Sequence, residues 1–240
     1  MPIVHAASGT RIDEVEDGIH RISVPVREVP GGFSFNQYLV VDQEPLLFHT
    51  GPGATFELVR AAIERVMPIA RLRWLSFAHV EADECGAFAD VMAAAPLARP
   101  LCGRVQAMLA IGDLTDRDAL VLADGESHSL GRRQVTWFDA PHVPHGWDNG
   151  FLFESTTRTL FASDLFTQPG ADCPPVTDMD VLAASEAMRA KMDYFAHAPT
   201  TGAVLERLAA VRPALIASMH GSAYRGDGAR LLRDLAGALG

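Results

Sequence analysis

The chain has 240 residues, 48% of them apolar and 21% charged, which is material for a sizeable core and far from the composition of a disordered chain. Its 20 Lys and Arg against 30 Asp and Glu leave a net charge of −10, which repels a phosphate backbone and argues against a nucleic-acid partner. No run approaches the roughly 18 apolar residues of a membrane span, residues 1–18 lack a basic start followed by an apolar stretch, and Cys85, Cys102 and Cys173 are too few and scattered for a disulfide framework, so a cytoplasmic setting is expected.

No repeat, low-complexity tract or long Gly/Ser/Pro linker divides the sequence, and residues 1–240 read as one domain. The first elements are short β-rich runs, Ile19 to Pro25, Phe35 to Val41 and Leu46 to His49, parted by Pro30-Gly31-Gly32 and Asp42-Gln43-Glu44 as an antiparallel meander would be. Val59, Ala62, Ile63 and Val66 make one apolar stripe, predicting a helix from Ala54 to Val66 with Pro68 just beyond it. Arg73 to Ala78 reads as a buried strand, followed by a polar segment and a helix from Cys85 to Ala94. A second strand-rich block runs from Glu126 to Phe161, punctuated by Gly125, Gly131 and Gly150, with alternation in Gln134-Val135-Thr136-Trp137. Helical patterns over Asp180 to Tyr194 and Ala203 to Val211, a strand from Leu215 to Met219, and a last helix carrying Leu232, Leu235, Ala236 and Leu239 complete the chain. Two strand blocks flanked by helices predict two sheets packed face to face between helical layers.

The chemistry-bearing residues fall just past the hydrophobic strands. In His79-Val80-Glu81-Ala82-Asp83-Glu84 the alternating His79, Glu81 and Asp83 put an imidazole and two carboxylates on one side of an extended segment, as metal ligation requires. Three further strand ends carry potential ligands: Pro141-His142-Val143-Pro144-His145-Gly146-Trp147-Asp148, Ser163-Asp164 and Met219-His220. Gly31-Gly32 and Gly51-Pro52-Gly53 precede no Lys-Ser or Lys-Thr helix start and read as turns, and neither a G-x-S-x-G elbow nor a cysteine-nucleophile motif is present.

This ordered set resembles the metallo-β-lactamase superfamily, whose pattern is H-x-H-x-D-H after one strand, then a distant His, an Asp and a final His. Glu81, where a zinc hydrolase would carry His, is similar to the binuclear core of the flavodiiron proteins and related diiron oxygen-binding proteins. The resemblance implies an α/β fold, a four-layer αββα sandwich. It makes His79, Glu81 and His145 ligands of one metal, Asp83 and His220 ligands of a second, and Asp164 the bridge. Glu84 departs from the family, which usually has His there, so either Glu84 or water completes the second site. His145 is preferred over His142 because the H-x-x-D motif matches His145 to Asp148, leaving His142 beside the site. His49 stands where many superfamily members have an Asp that hydrogen-bonds a ligand. Cys85 offers a redox role or a buried thiol, and Phe33, Phe35 and Trp147 are candidates for the access route or for core edges.

Imidazole and carboxylate without thiolate suit two iron ions, with manganese and zinc as alternatives. The resemblance implies a protein that binds or reduces O₂ or NO; the alternative is a hydrolase of a thioester, lactone or related ester that uses a metal-bound hydroxide. Flavodiiron proteins carry a C-terminal flavodoxin domain, whereas 20 residues follow His220 here, so no FMN is expected in this chain and a separate redox partner would feed the irons. A homodimer is compatible with the sequence.

Overall fold

The computed structural model describes residues 3–239. The first sheet contains, in both chain and spatial order, β1 (Ile3–His5), β2 (Thr10–Glu16), β3 (Ile19–Val26), β4 (Phe33–Val40), β5 (Leu46–Phe48), β6 (Trp74–Ser76), β7 (Arg99–Gly103) and β8 (Leu120–Leu122). Its strands run antiparallel through β5 and parallel from β5 to β8. The second sheet comprises β9 (Ser127–Ser129), β10 (Gln134–Asp139), β11 (Gly150–Glu154), β12 (Thr159–Ser163), β13 (Val176–Thr177), β14 (Leu215–Ser218) and β15 (Ala223–Arg225), ordered β13-β15-β14-β12-β11-β10-β9. The helices are α1 (Phe56–Ile63), α2 (Ala82–Cys85), α3 (Phe88–Ala94), α4 (Arg104–Leu109), α5 (Ile111–Leu114), α6 (Leu182–Met192), α7 (Thr201–Ala210) and α8 (Gly228–Leu239).

Strand alternation builds three apolar interfaces, and three interfaces imply four layers. In β4, Tyr38 and Val40 face the second sheet while Leu39 joins Val59, Ile63 and Phe88 from α1 and α3. In β12, Phe161 faces the first sheet, whereas Leu160 and Ala162 pack with Leu205, Leu208, Leu232 and Leu235 of α7 and α8. Phe48, Tyr38, Trp137 and Phe161, all 0% exposed, fill the space between the sheets. The arrangement is the αββα sandwich, and among the described residues no helix is long and apolar enough to cross a membrane.

Several boundaries differ from the sequence pattern for local reasons. The helix expected from Cys85 to Ala94 is two helices, α2 and α3. The chain breaks at Gly86, where it lies against the Gly51–Gly53 turn: Ala87 N–H donates to Gly51 O, and a Cβ on Gly86 would sit 3.1 Å from Gly53 N. The expected helix from Ala54 begins as a single 3₁₀ turn at Gly53–Thr55 and ends at Ile63. Strands β1, β2, β7 and β8 and helices α4 and α5 went unread in the sequence; β2 interleaves buried Ile12 and Val15 with Asp13, Glu14 and Glu16, which hides its period.

Candidate metal centre

Parallel pairing of β12 with β14 places their ends side by side, Ser163 opposite Ser218, so that Asp164 and His220 leave the sheet as neighbours. In the first sheet β6 runs into Phe77-Ala78-His79, where Gln106 Nε2 donates to both Phe77 O (3.0 Å) and Ala78 O (2.7 Å). Glu81, in extended conformation at φ −137°, precedes α2, and Asp83 occupies its first turn. The His145 loop is drawn against this segment by Asp148, whose Oδ2 accepts from Val80 N–H at 2.9 Å. Gly146, at φ +76°, lets the loop pass close by, since a Cβ there would lie 3.1 Å from His79 Cβ.

Donor atoms from the four loops converge on Asp164. Its Oδ2 lies 3.6 Å from His79 Nε2 and 3.4 Å from His145 Nε2, and its Oδ1 lies 3.1 Å from His220 Nε2. Glu81 reaches the same two imidazoles, at 3.6 Å from His79 and 3.3 Å from His145, and Asp83 lies 3.5 Å from His220. One ligand atom each from His79, Glu81, His145 and Asp164 fall within 4.8 Å of one another, and Asp83 with His220 forms a second group on the far oxygen of Asp164.

The imidazoles are oriented from behind. His79 Nδ1 faces Asn149 Oδ1 at 3.0 Å, and that amide is oriented because its Nδ2 donates to the carbonyl of Val143. His145 Nδ1 faces the Tyr194 carbonyl and His220 Nδ1 the Ser34 carbonyl, each at 2.8 Å. Those three oxygens only accept, so each Nδ1 carries its proton and each Nε2 turns a lone pair toward the cluster when the ring is neutral. The Nε2 atoms of His79 and His145 are buried with no hydrogen-bond partner, which fits imidazoles prepared for a cation.

The electrostatics without a cation follow from this crowding. Burial disfavours the charged form of His79, but Glu84, Glu81 and Asp164 outweigh it and raise the pKa to about 10. His145 and His220 are also raised against burial, by Glu81 and Asp164 respectively. The adjacent imidazoles of His145 and His79 hold Glu81 well below the usual carboxylate range, whereas burial raises Asp83, reinforced by Asp164. Protons hold the cluster together, and a bound metal would have to displace them.

Glu84 turns away from this convergence. It is 1% exposed; its Oε2 accepts from the Ala78 and His79 backbone N–H groups at 3.2 and 2.8 Å, and its Oε1 accepts from the Ser163 hydroxyl. It therefore lies on the Nδ1 side of His79, 3.3 Å from that atom, while the other carboxylates lie on the Nε2 side. His49, at φ +65°, sits 3.4 Å from Glu84 Oε1, and burial pushes it down to about 3, so the ring is neutral. His142 stands outside the cluster: its backbone N–H donates to Gly146 O, closing a turn that leaves the side chain exposed. Cys85 donates to Glu81 O, and its thiol is pushed up to about 12 by burial and by Glu84, which keeps it protonated and a poor nucleophile.

A cavity of about 190 Å³ opens above Glu81, Asp83, His145, Asp164 and His220, roofed by Phe33, Met188, Met192 and Tyr194. Phe33 stacks on His220 at 4.2 Å, and Phe35 supports both rings edge-on. Trp147, 53% exposed, does not line this cavity. Sequence reasoning missed Met188, Met192, Tyr194 and Asn149; the i, i+4 spacing of the two methionines on α6 was a signal, while Asn149 and Tyr194 carried none.

Comparison with known proteins places the arrangement. Residues 33–221 match the model of the ODP family beta lactamase. The chain belongs to this family. A nitric oxide reductase of Moorella thermoacetica is 26% identical to this ODP-family chain over 234 residues, covering 94% of it and 58% of the reductase. A rubredoxin-oxygen oxidoreductase of Megalodesulfovibrio gigas is 28% identical over 206 residues, covering 82% of the chain and 50% of that protein. The ODP-family chain thus spans between half and three fifths of these relatives. Among solved structures, rubredoxin oxygen:oxidoreductase from Desulfovibrio gigas superposes with a TM-score of 0.82 at 25% identity, covering 95% of this chain and 62% of that one. The flavodiiron protein of Giardia intestinalis gives 0.77 at 20% identity over 95% of this chain and 59% of its own, a likeness of fold. The fold is the metallo-β-lactamase-like sandwich of the flavodiiron core.

Proposed function

We propose that this chain holds two iron ions and uses them to bind or reduce O₂ or NO, with electrons delivered by a separate redox protein. His79, Glu81 and His145 would hold one ion, Asp83 and His220 the other, with Asp164 bridging. The observation that carries this reading is the division of Asp164, whose Oδ2 faces His79 and His145 while Oδ1 faces His220. The names of two relatives, a nitric oxide reductase and a rubredoxin-oxygen oxidoreductase, motivate the choice of substrates and of a small redox protein as donor. The donor set, three imidazoles and three carboxylates without a thiolate, suits iron. Glu84 is assigned no ligand role, because both its oxygens are engaged behind His79.

Two ferrous ions, when bound, supply electrons and open coordination positions to a diatomic oxidant. The protein's residues do the rest. Asn149 and the carbonyls of Tyr194 and Ser34 fix the three imidazoles in one tautomer. Phe33, Met188 and Met192 border the site with apolar surface that suits a small uncharged molecule.

The test is metal analysis of protein expressed with iron and handled without oxygen, followed by an anaerobic-to-aerobic optical titration. Near two irons per chain and a new visible band on exposure to O₂ or NO is the expected result. Zinc in both sites, no optical response, and turnover of a thioester or lactone would overturn the proposal and make the chain a hydrolase.

A further inference from the structure

At the opposite pole of the sandwich, three arginines line one cavity of about 460 Å³. Arg158 occupies the turn before β12, Arg212 the connection from α7 to β14, and Arg233 projects from α8. Asp164 and His220 follow the far ends of the same two strands, so the five residues of β12 separate the cavity from the metal cluster by roughly 15 Å.

Two of these arginines are unpaired. The chain carries 30 acidic residues against 20 basic ones, and exposed Arg27, Arg60 and Arg207 each meet a carboxylate within 2.8 Å. Among the described residues, Arg158 and Arg212 have no carboxylate within 4.0 Å, and their guanidinium groups donate no hydrogen bond. Arg233 is paired with Glu206, and the one acid on the cavity wall, Asp227, accepts from Arg230 N–H at the start of α8. Two unpaired guanidinium groups, beside a third that is held by Glu206, thus line a wall whose one carboxylate is already engaged.

The backbone holds this arrangement at a conformational cost. Arg158 and Arg212 adopt φ +57° and +52°, which L-residues rarely do. Their loops are tied together, since Ala214 N–H donates to Arg158 O at 2.9 Å and Gly228 N–H to Pro213 O at 3.1 Å. The remaining wall is alanine, proline and glycine, so no long side chain fills the space.

We propose that this cavity binds a phosphate-bearing small molecule. The free forks of Arg158 and Arg212, with the positive charge of Arg233 beside them, suit the several oxygens of a phosphate, which accept paired hydrogen bonds. The volume lies within the roughly 300–1,000 Å³ of small-molecule sites, room for a phosphate with an organic group attached. The inference does not depend on the reading of the metal centre.

Calorimetric titration of the metal-loaded protein with adenosine monophosphate, inorganic phosphate and adenosine tests it. Saturable binding of the monophosphate with Kd below about 1 mM, weakened by salt, with adenosine inert, is expected. Arg158→Gln with Arg212→Gln should weaken it at least tenfold while leaving iron content unchanged, and Arg104→Gln, an exposed arginine outside the cavity, should not alter it. Should the double variant fail to fold, the single Arg158→Gln and Arg212→Gln variants carry the same comparison. Absence of saturable binding, undiminished binding in the cavity variants, or binding that disappears only when the metal is removed would overturn the proposal.

Discussion

Replacing Glu84 by glutamine and by alanine separates a buried latch from a metal ligand. The carboxylate accepts from Ala78 N–H, His79 N–H and the Ser163 hydroxyl, joining the two loops that present His79 and Asp164. Alanine would leave these three enclosed donors without an acceptor. At about 1–3 kcal/mol for each orphaned group, with partial relaxation, the loss is about 3–6 kcal/mol, or roughly 6–24 °C in Tm for a chain of this size. Glutamine keeps one oxygen for the two backbone amides, and its NH₂ can donate to Ser163 Oγ, which rotates to accept. Burial pushes the Glu84 carboxyl up to about 7, so the neutral amide replaces a group whose charged form is already disfavoured. The expected cost is about 1 kcal/mol. Because the folded pKa lies above the reference 4.5, the folded state binds the extra proton, and this group's contribution to stability falls as pH rises from 4.5 toward 7. Glu84→Gln should lack that slope. Calorimetric Tm of the metal-free proteins and iron per chain after loading are the two readouts. A glutamine variant that keeps its Tm but loses one of two irons would refute the latch and restore Glu84 as a ligand.

Asp164→Ala should leave at most one iron per chain by elemental analysis, because one residue serves both groups of donors; two retained irons would remove the bridge. His145→Ala should lose iron, whereas exposed His142→Ala should keep full iron and change stability by no more than about 0.5 kcal/mol. Asn149→Ala frees the His79 ring and unpairs Val143 O, with an expected 10–100-fold loss of iron affinity measured by chelator competition. Iron loading should strengthen with pH: His79, raised to about 10, must give up a proton to bind, so competition by that proton alone weakens affinity about tenfold for each unit below about 10. A loading curve flat between pH 6 and 8 would contradict the proton-held cluster.

Much of this was legible because the informative residues follow strands whose apolar alternation or continuity is strong. β3, β4, β10 and β12 announced themselves, and the loops after β6, β10, β12 and β14 carry the His and acid residues that converge on Asp164. What stayed hidden lies in contacts between segments distant in the chain. No local pattern says that Asn149 will meet His79, that the Tyr194 carbonyl will meet His145, or that Ser163 will turn Glu84 inward. Glu84 shows the limit most plainly. Beside Asp83 in sequence it resembles a further ligand, yet the first turn of α2 sends the two side chains in different directions, Asp83 toward His220 and Glu84 beneath His79. Trp147 was misplaced for a related reason, since the turn closed by His142 N–H and Gly146 O sends it to solvent while His145 faces inward.

The charge and walls of the centre also bear on which chemistry suits it. Glu81 and Asp164 are held ionised, Glu81 chiefly by the adjacent imidazoles of His145 and His79, and Asp164 against strong burial by His220 and its neighbours. With Asp83 they would set three negative charges around two cations in a partly enclosed site. Anionic donors weaken a metal ion as a Lewis acid and favour its more oxidised form, which suits electron donation better than polarising a carbonyl. The cavity agrees. Beyond the metals, the walls offer little to orient an ester or lactone carbonyl, since the hydroxyls of Thr167 and Tyr194 both face the Asp164 backbone carbonyl, at 2.7 and 3.4 Å. The remaining roof, Phe33, Met188 and Met192, presents carbon and thioether surface over a space of about 190 Å³. A diatomic molecule asks for no orienting hydrogen bond there, and this site has few left to give.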